Sequence, residues 1–440
     1  MELDVLNDRA QTEVGSYFVA NYPPFSAWKA DHLPAVEAVL NSKPDAPAPP
    51  LGLYLHIPFC RKRCRFCYFR VYTDKNSDEV ETYLAALSRE LALYAERERF
   101  ANRPLDFVYF GGGTPSFLSN TQLEGLVARI AEHWTWDQAR EVTFECEPGT
   151  LKESKLATIR DMGVTRLSLG VEHFDDQVLE LNGRAHRSPE IFRAYEWART
   201  AGFPQLNIDL IAGMVGDDET KWKKTVDQAL ALAPDSVTIY QMELPHNTVI
   251  AREMKTGAEE HPVADWPAKR AWVAHAFQVF QQAGYEISSA YTLVKPGPHS
   301  GFVYRDALWH GGDMLGTGVA SFSHVGGLHF QNVDGWDEYV NRLQAGELPL
   351  GRALPISADQ ALIREFALQT KLGRVDLNYF RTKFGIEPRH RFADAFAYLQ
   401  QHQYATLDGD TLQLSSAGLL RVDALLPLFF EPQYRGVRYT

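Results

Sequence analysis

Cysteine is scarce in this chain: four residues in 440, and three of them fall within residues 60 to 67. A disulfide framework is thereby excluded, and a reducing compartment, the cytoplasm, is the expected location. No stretch approaches the about 18 consecutive apolar residues that a bilayer-spanning helix needs. The opening Met1-Glu2-Leu3-Asp4 lacks the basic and apolar segments of an export signal, so neither a membrane span nor export is expected. Positive charge is also short, with 44 Lys and Arg against 56 Asp and Glu, a net charge of -12. Such a chain has no general attraction to nucleic acid or anionic lipid, and no nucleic-acid partner is expected. An anionic substrate would need a local basic pocket.

What is present is concentrated in Leu53-Tyr54-Leu55-His56-Ile57-Pro58-Phe59-Cys60-Arg61-Lys62-Arg63-Cys64-Arg65-Phe66-Cys67. Three thiols at C-x3-C-x2-C spacing, with no fourth nearby, suit an iron-sulfur cluster held through three irons with one iron open. The competing readings are a structural zinc completed by His56, or three reduced core thiols. Zinc sites usually show paired C-x2-C knuckles or histidine pairs, and apolar packing does not gather thiols in this way. The adjoining basic residues Arg61, Lys62, Arg63, Arg65 and Arg70 read either as a solvated loop or as a receiver for an electron donor or a polycarboxylate substrate.

The cysteine spacing, with Phe66 just before the last thiol, resembles the signature of radical S-adenosylmethionine (SAM) enzymes. Tyr54-x-His56-Ile57-Pro58-Phe59 narrows the resemblance to the oxygen-independent coproporphyrinogen III oxidase family, which also contains haem chaperones, methyltransferases and cyclopropanases. It runs, with gaps, over nearly the whole chain. It implies a 4Fe-4S cluster on Cys60, Cys64 and Cys67 whose open iron chelates the methionine part of SAM. One electron, from a donor such as flavodoxin or ferredoxin, then releases a 5'-deoxyadenosyl radical that acts on a small molecule, here a tetrapyrrole.

Apolar strand-like runs alternate with amphipathic stretches after residue 50. Strands are expected at Leu51 to Ile57, Phe107 to Phe110, Glu141 to Glu147, Arg166 to Val171, Leu206 to Ile211 and Ser236 to Met242. Helices are expected at Ser77 to Arg97, Thr121 to His133, Pro189 to Ala201, Glu219 to Leu232 and Trp266 to Gly284. The fold class is therefore α/β with a parallel sheet, and it resembles the open six-fold partial barrel of the radical enzymes. A further strand is expected at Glu286 to Tyr291, before the Gly-rich run Leu315 to Ser321. Helical patterns from about Ser357, then a hairpin centred on Asp408-Gly409, resemble a winged-helix-like α+β module. Its expected role is packing, since few basic residues decorate it. The domains expected are an N-terminal lid and linker over 1-50, the barrel and its edge over 51-331, and the C-terminal module over 332-440. The lid rests on Tyr17 and Tyr22-Pro23, which resemble the family's covering segment.

Gly111-Gly112-Gly113-Thr114-Pro115 follows a strand, where glycines let backbone approach a ligand. By resemblance, this segment binds the methionine amino group, and Tyr54 and Phe66 pack beside the cofactor. Period-two alternation puts Glu145 and Glu147 on one strand face and Cys146 on the other, as a buried filler. Glu145 matches the family's ribose-binding carboxylate, while Glu147 is expected to be an exposed acid. Glu172, Arg184 and Asp209 match positions around a second SAM.

Two departures stand out. The family's coproporphyrinogen enzymes carry glutamine where this chain has Glu172, and Cys-Gly-Cys where it has Cys67-Tyr68-Phe69. Pro245-His246-Asn247-Thr248 looks closer to the chaperone branch, and His246, His299, His310 and His324 are candidate haem ligands. Oxidative decarboxylation of a tetrapyrrole propionate leads. Methyl or methylene transfer from a second SAM, and haem chaperoning, remain as alternatives.

Overall fold

The computed structural model describes residue 12, residues 19–259, residue 261 and residues 263–437. Tyr17, one of the two anchors of the expected lid, lies outside the described residues. In chain order the strands are β1 (Leu51–Ile57), β2 (Leu105–Gly112), β3 (Glu141–Cys146), β4 (Arg166–Glu172), β5 (Gln205–Ala212), β6 (Ser236–Gln241), β7 (Glu286–Ile287), β8 (Thr292–Val294), β9 (Asp313–Thr317), β10 (Phe322–Val325), β11 (Leu328–Asn332), β12 (Leu350–Pro355), β13 (Arg374–Asp376), β14 (Ala405–Asp408) and β15 (Thr411–Leu414). The fold is mixed α/β around a central parallel sheet, as expected, and the chain divides into two compact units.

The larger unit holds Trp28–Asp209 and Pro298–Pro355. Here β1, β2, β3 and β4 pair side by side in parallel, and β9 joins the other edge of β1, also in parallel. From β9 the sheet continues antiparallel through β10, β11 and β12. Strand β1, Leu-Gly-Leu-Tyr-Leu-His-Ile, is buried at every position but Tyr54, the near-continuous apolar run of a strand covered on both faces. The helices between strands begin on strong caps. Asn76 and Glu79 form a reciprocal capping box at Ser77–Ala95, and Ser119 and Gln122 do so at Asn120–Ala131. Both helices lie within a residue or two of the expected bounds.

The smaller unit holds Leu210–Gly297 and Ile356–Thr440 with the N-terminal segment up to Ala27. Its β6 is followed by helices Val249–Thr256 and Trp266–Gln282. The strand expected at Glu286 to Tyr291 is instead a hairpin, with Glu286 and Ile287 of β7 pairing back onto Val294 and Leu293 of β8. Ser289 Oγ accepts from the amides of Tyr291 and Thr292, and this hydroxyl-stabilised turn breaks the run. In the C-terminal part, helix Ala358–Thr370 precedes β13, helices Leu377–Phe384 and Ala393–Gln401 lie between β13 and β14, and the three strands form an antiparallel sheet of order β13-β15-β14. Phe366 centres that core, with the rings of Phe380, Phe392, Phe396 and Phe429 around it. The β14-β15 turn falls on Gly409-Asp410, one residue later than expected, because Asp408 pairs with Thr411 and the positive φ of 50° sits on Gly409. Tyr22 is buried in this unit, stacked on Phe430 and donating to Glu431 at 2.8 Å. Among the described residues no helix is long and apolar enough to cross a membrane.

Candidate active site

The cysteine loop leaves the C-terminal end of β1, the end at which parallel barrels place their chemistry. Its base is closed by two backbone bonds, Cys60 N to Tyr72 O at 3.0 Å and Tyr72 N to Pro58 O at 2.7 Å. Phe59 anchors it from below, fully buried against Tyr83, Phe117 and Trp336. Cys60, Cys64 and Cys67 are free and partly exposed, and Cys146 is a buried filler as expected. Burial pushes the Cys60 thiol up to about 11 and the Cys67 thiol to about 12. Two donors face the sulfurs: Thr114 Oγ1 at 3.3 Å from Cys60 Sγ, and Arg184 Nη1 at 3.2 Å from Cys64 Sγ.

This donor set fits a 4Fe-4S cluster, whose thiolates each take a different iron and gain from hydrogen bonds at sulfur. It does not fit zinc. Among the described residues no three His, Cys, Asp or Glu side chains converge on one ion. His56 is turned to the carbonyl of Arg70 at 3.3 Å, and burial lowers its pKa to about 4.

The glycine segment is built against this loop. Gly113 N donates to Ile57 O at 2.9 Å and Thr114 N to Phe59 O at 2.8 Å, and a Cβ on Gly113 would stand 2.8 Å from Ile57 O. Gly112 has φ of 109°, and a side chain there would meet the His56 ring at 2.4 Å. Glu145 on β3 accepts from Tyr109 Oη at 2.6 Å and Gly112 N at 3.2 Å, and burial pushes its carboxyl up to about 7 against those donors. Tyr54 stacks on Tyr109 at 5.7 Å, so β1, β2 and β3 each contribute a side chain to one cluster of Tyr54, Tyr109 and Glu145.

Arg184 joins the cysteine loop to the end of β4. Its Nη2 donates to Gly170 O, and its Nη1 stands 3.5 Å from Glu172 Oε1. Glu172 holds φ of 64°, the left-handed region, and burial pushes its carboxyl up to about 7 despite the guanidinium. Asp209 accepts from Ser168 at 2.8 Å and Asn207 at 3.0 Å, and its charge is felt at both Glu145 and Glu172. Phe66 is half-buried in the loop. The expected site residues thus all lie in the larger unit, on or just after β1 to β4 and at Asp209 of β5. The histidines do not join them as a set: His246, His299 and His310 are exposed, and buried His324 faces His329 at 3.1 Å.

Glu147 corrects the sequence reading. It is buried at 8 % exposure, not exposed, and accepts from Arg61 while facing His186. The basic loop is internal in part, Arg65 donating to Leu181 O and Arg63 to Cys67 O, while Arg70 pairs with Asp334 at the surface. Tyr109 and His186 were not foreseen. A lone hydroxyl in the apolar run Phe107 to Phe110 was a usable signal for Tyr109; nothing local marked His186.

A profile of the radical SAM superfamily matches residues 54–229. The chain is 30% identical over 384 residues to the haem chaperone HemW of Mycobacterium tuberculosis, covering 86% of this chain and 95% of that protein. It is 28% identical over 398 residues to the oxygen-independent coproporphyrinogen III oxidase of Pseudomonas aeruginosa, covering 86% and 85%. Coproporphyrinogen III oxidase (HemN) from Escherichia coli has the same fold, with a TM-score of 0.80 at 24% identity over 93% of this chain and 96% of that one. With its three-thiol loop, its glycine segment and this span of similarity, the chain belongs to the oxygen-independent coproporphyrinogen III oxidase and HemW family of radical SAM proteins, whose members use a 4Fe-4S cluster and S-adenosylmethionine.

Proposed function

We propose that this protein is a radical SAM enzyme that decarboxylates propionate side chains of coproporphyrinogen III, or of a related tetrapyrrole, to vinyl groups without oxygen, each propionate giving a hydrogen atom to the SAM-derived radical and then losing carbon dioxide and one electron to a separate one-electron acceptor. The observation that carries the reading is the contact of one glycine segment with both halves of the site: Gly113 and Thr114 bond the base of the cysteine loop, while Gly112 bonds Glu145. In this reading Cys60, Cys64 and Cys67 hold the cluster. When bound, the cluster supplies the electron that cleaves SAM to the radical used on the substrate. Gly112, Gly113 and Glu145 hold the cofactor's amino group and ribose, the carboxylate accepting from two hydroxyls. Tyr54 packs beside the methionine. Phe66 and Thr114 belong beside that same SAM, and Glu172, Arg184 and Asp209 line the place of a second one. The electron comes from a small carrier such as flavodoxin or ferredoxin, in the cytoplasm. Residues 1-50 act as a lid and linker, 51-331 as the catalytic barrel, and 332-440 as a packing module.

Two other readings have support. Similarity to HemW over 95% of that relative favours a haem chaperone. The Glu172–Arg184 pair, which places an acid where anionic propionates would lie, favours a different substrate and methyl transfer from a second SAM. Anaerobic turnover of the reconstituted, reduced protein with SAM and coproporphyrinogen III separates them by mass spectrometry. Loss of carboxyl groups coupled to deoxyadenosine supports the oxidase. Methylated product, or haem binding without vinyl formation, overturns it.

A further inference from the structure

The residue next to the first cluster cysteine sits in a receptacle built for it. Arg61 sends Nε and Nη2 to Glu147 Oε2 at 3.2 and 2.9 Å, and Nη2 also stands 3.3 Å from Oε1. Glu147 is itself fixed on every side. Its amide donates to Ser116 Oγ at 3.1 Å, Gly149 N donates to its Oε1 at 3.1 Å, and His186 Nδ1 faces the same oxygen at 2.9 Å. His186 is fully buried, and its Nε2 stands 3.2 Å from Val171 O. The seat also requires a missing atom: a Cβ on Gly149 would lie 2.1 Å from Arg61 Nη2, although Gly149 has no positive φ to demand glycine. Burial pushes Glu147 up, but His186, Arg184 and Arg61 outweigh it and hold the carboxyl at about 2.

These contacts join the start of the cysteine loop to the ends of β3 and β4. Phe59 and the Cys60–Tyr72 bonds fix only the base of that loop, and Arg65 N to Asn182 O at 3.0 Å fixes its far side. We infer that Arg61 is a latch and that Glu147, Gly149 and His186 form its keeper, holding the cysteine loop in the shape that receives and retains the iron-sulfur cluster. The inference rests on the cluster reading. It makes Arg61, Glu147, Gly149 and His186 positioning residues, without contact to substrate.

The test compares wild type, Arg61→Met, Gly149→Ala and the double variant after anaerobic reconstitution. Iron release to the ferrous chelator ferrozine is followed by absorbance, and the reduced cluster by EPR. Gly149→Ala keeps the backbone and crowds the end of the flexible, partly exposed Arg61 side chain at 2.1 Å and Glu147 Oε1 at 3.0 Å, so it disturbs both halves of the seat without dismantling the fold. Each single variant is expected to release iron about tenfold faster, the scale of losing an outer-sphere partner of a metal site. The double variant should be no faster than the faster single, because both remove one interaction. Arg61→Lys, which keeps the charge but loses the planar fork, should recover only part of the loss. Wild-type release rates in Arg61→Met, or independent effects that multiply in the double variant, overturn the latch. Wild type that binds no iron removes the cluster reading and the latch together.

Discussion

Tyr109 donates its hydroxyl to Glu145 at 2.6 Å, and Gly112 N donates to the other oxygen of that carboxylate at 3.2 Å. The acid is therefore aimed before any ligand arrives, by a side chain and an amide of the neighbouring strand. A buried carboxylate held this way loses no orientation freedom on binding. Glu145→Ala should weaken SAM binding at least about tenfold, as charge-assisted hydrogen bonds are lost, while iron content stays at the wild-type level. Tyr109→Phe should weaken it less, by roughly the one net hydrogen bond, about 1 kcal/mol. Equilibrium dialysis with labelled SAM checks both, and unchanged affinity in Glu145→Ala removes the ribose assignment.

Glu172 carries two costs at once, a left-handed backbone at φ 64° and a carboxyl that burial pushes up to about 7 beside Arg184. Glu172→Gln removes the negative charge and frees the guanidinium. Polycarboxylate porphyrinogens should then bind several-fold more tightly, in line with the worth of one charge contact. Fluorescence titration with coproporphyrin as a stable probe measures it. No change would detach Glu172 from the substrate pocket.

Glu90 lies at 0% exposure on helix Ser77–Ala95, taking Gly318 N at 2.8 Å, Tyr339 Oη at 2.6 Å and Asn332 Nδ2 at 2.6 Å. Burial raises its pKa from 4.5 to about 7 against those donors. The native state therefore binds this proton more tightly than the unfolded chain. Its stabilising share is complete below about 4.5 and is lost as pH rises through about 7. Apo Glu90→Gln should show a flatter fall in stability between pH 5 and pH 8, by up to roughly 3 kcal/mol. Urea midpoints at the two pH values read the difference, and parallel wild-type and variant slopes would refute it.

Much of the fold was legible because its signals are local. Strand β1 begins and ends where the apolar run from Leu51 to Ile57 does, and Glu219–Leu232 matches its expected bounds at both ends. The misses share a physical cause, partners far away in sequence. Strand β2 runs on through Gly111 and Gly112, which no propensity favours, because they pair in register with His56 and Ile57 of β1. Glu147 read as exposed because its partners, Arg61 and His186, lie 86 and 39 residues away. The run Glu286 to Tyr291 has strand-like residues, yet Ser289 folds it into a turn. In the site, the thiols, glycines and Glu145 carried recognisable spacing. Of the groups that orient them, Tyr109 offered only a lone hydroxyl in an apolar run, and His186 and Gly149 carried no signal.

The most direct test of the central claim is deoxyadenosine formation from SAM by the reduced, anaerobically reconstituted protein, with Cys64→Ala measured in parallel. The account predicts deoxyadenosine from the wild type and none from Cys64→Ala, which should also fail to assemble the cluster. Wild-type protein that makes none, or Cys64→Ala that makes as much as wild type, would contradict it.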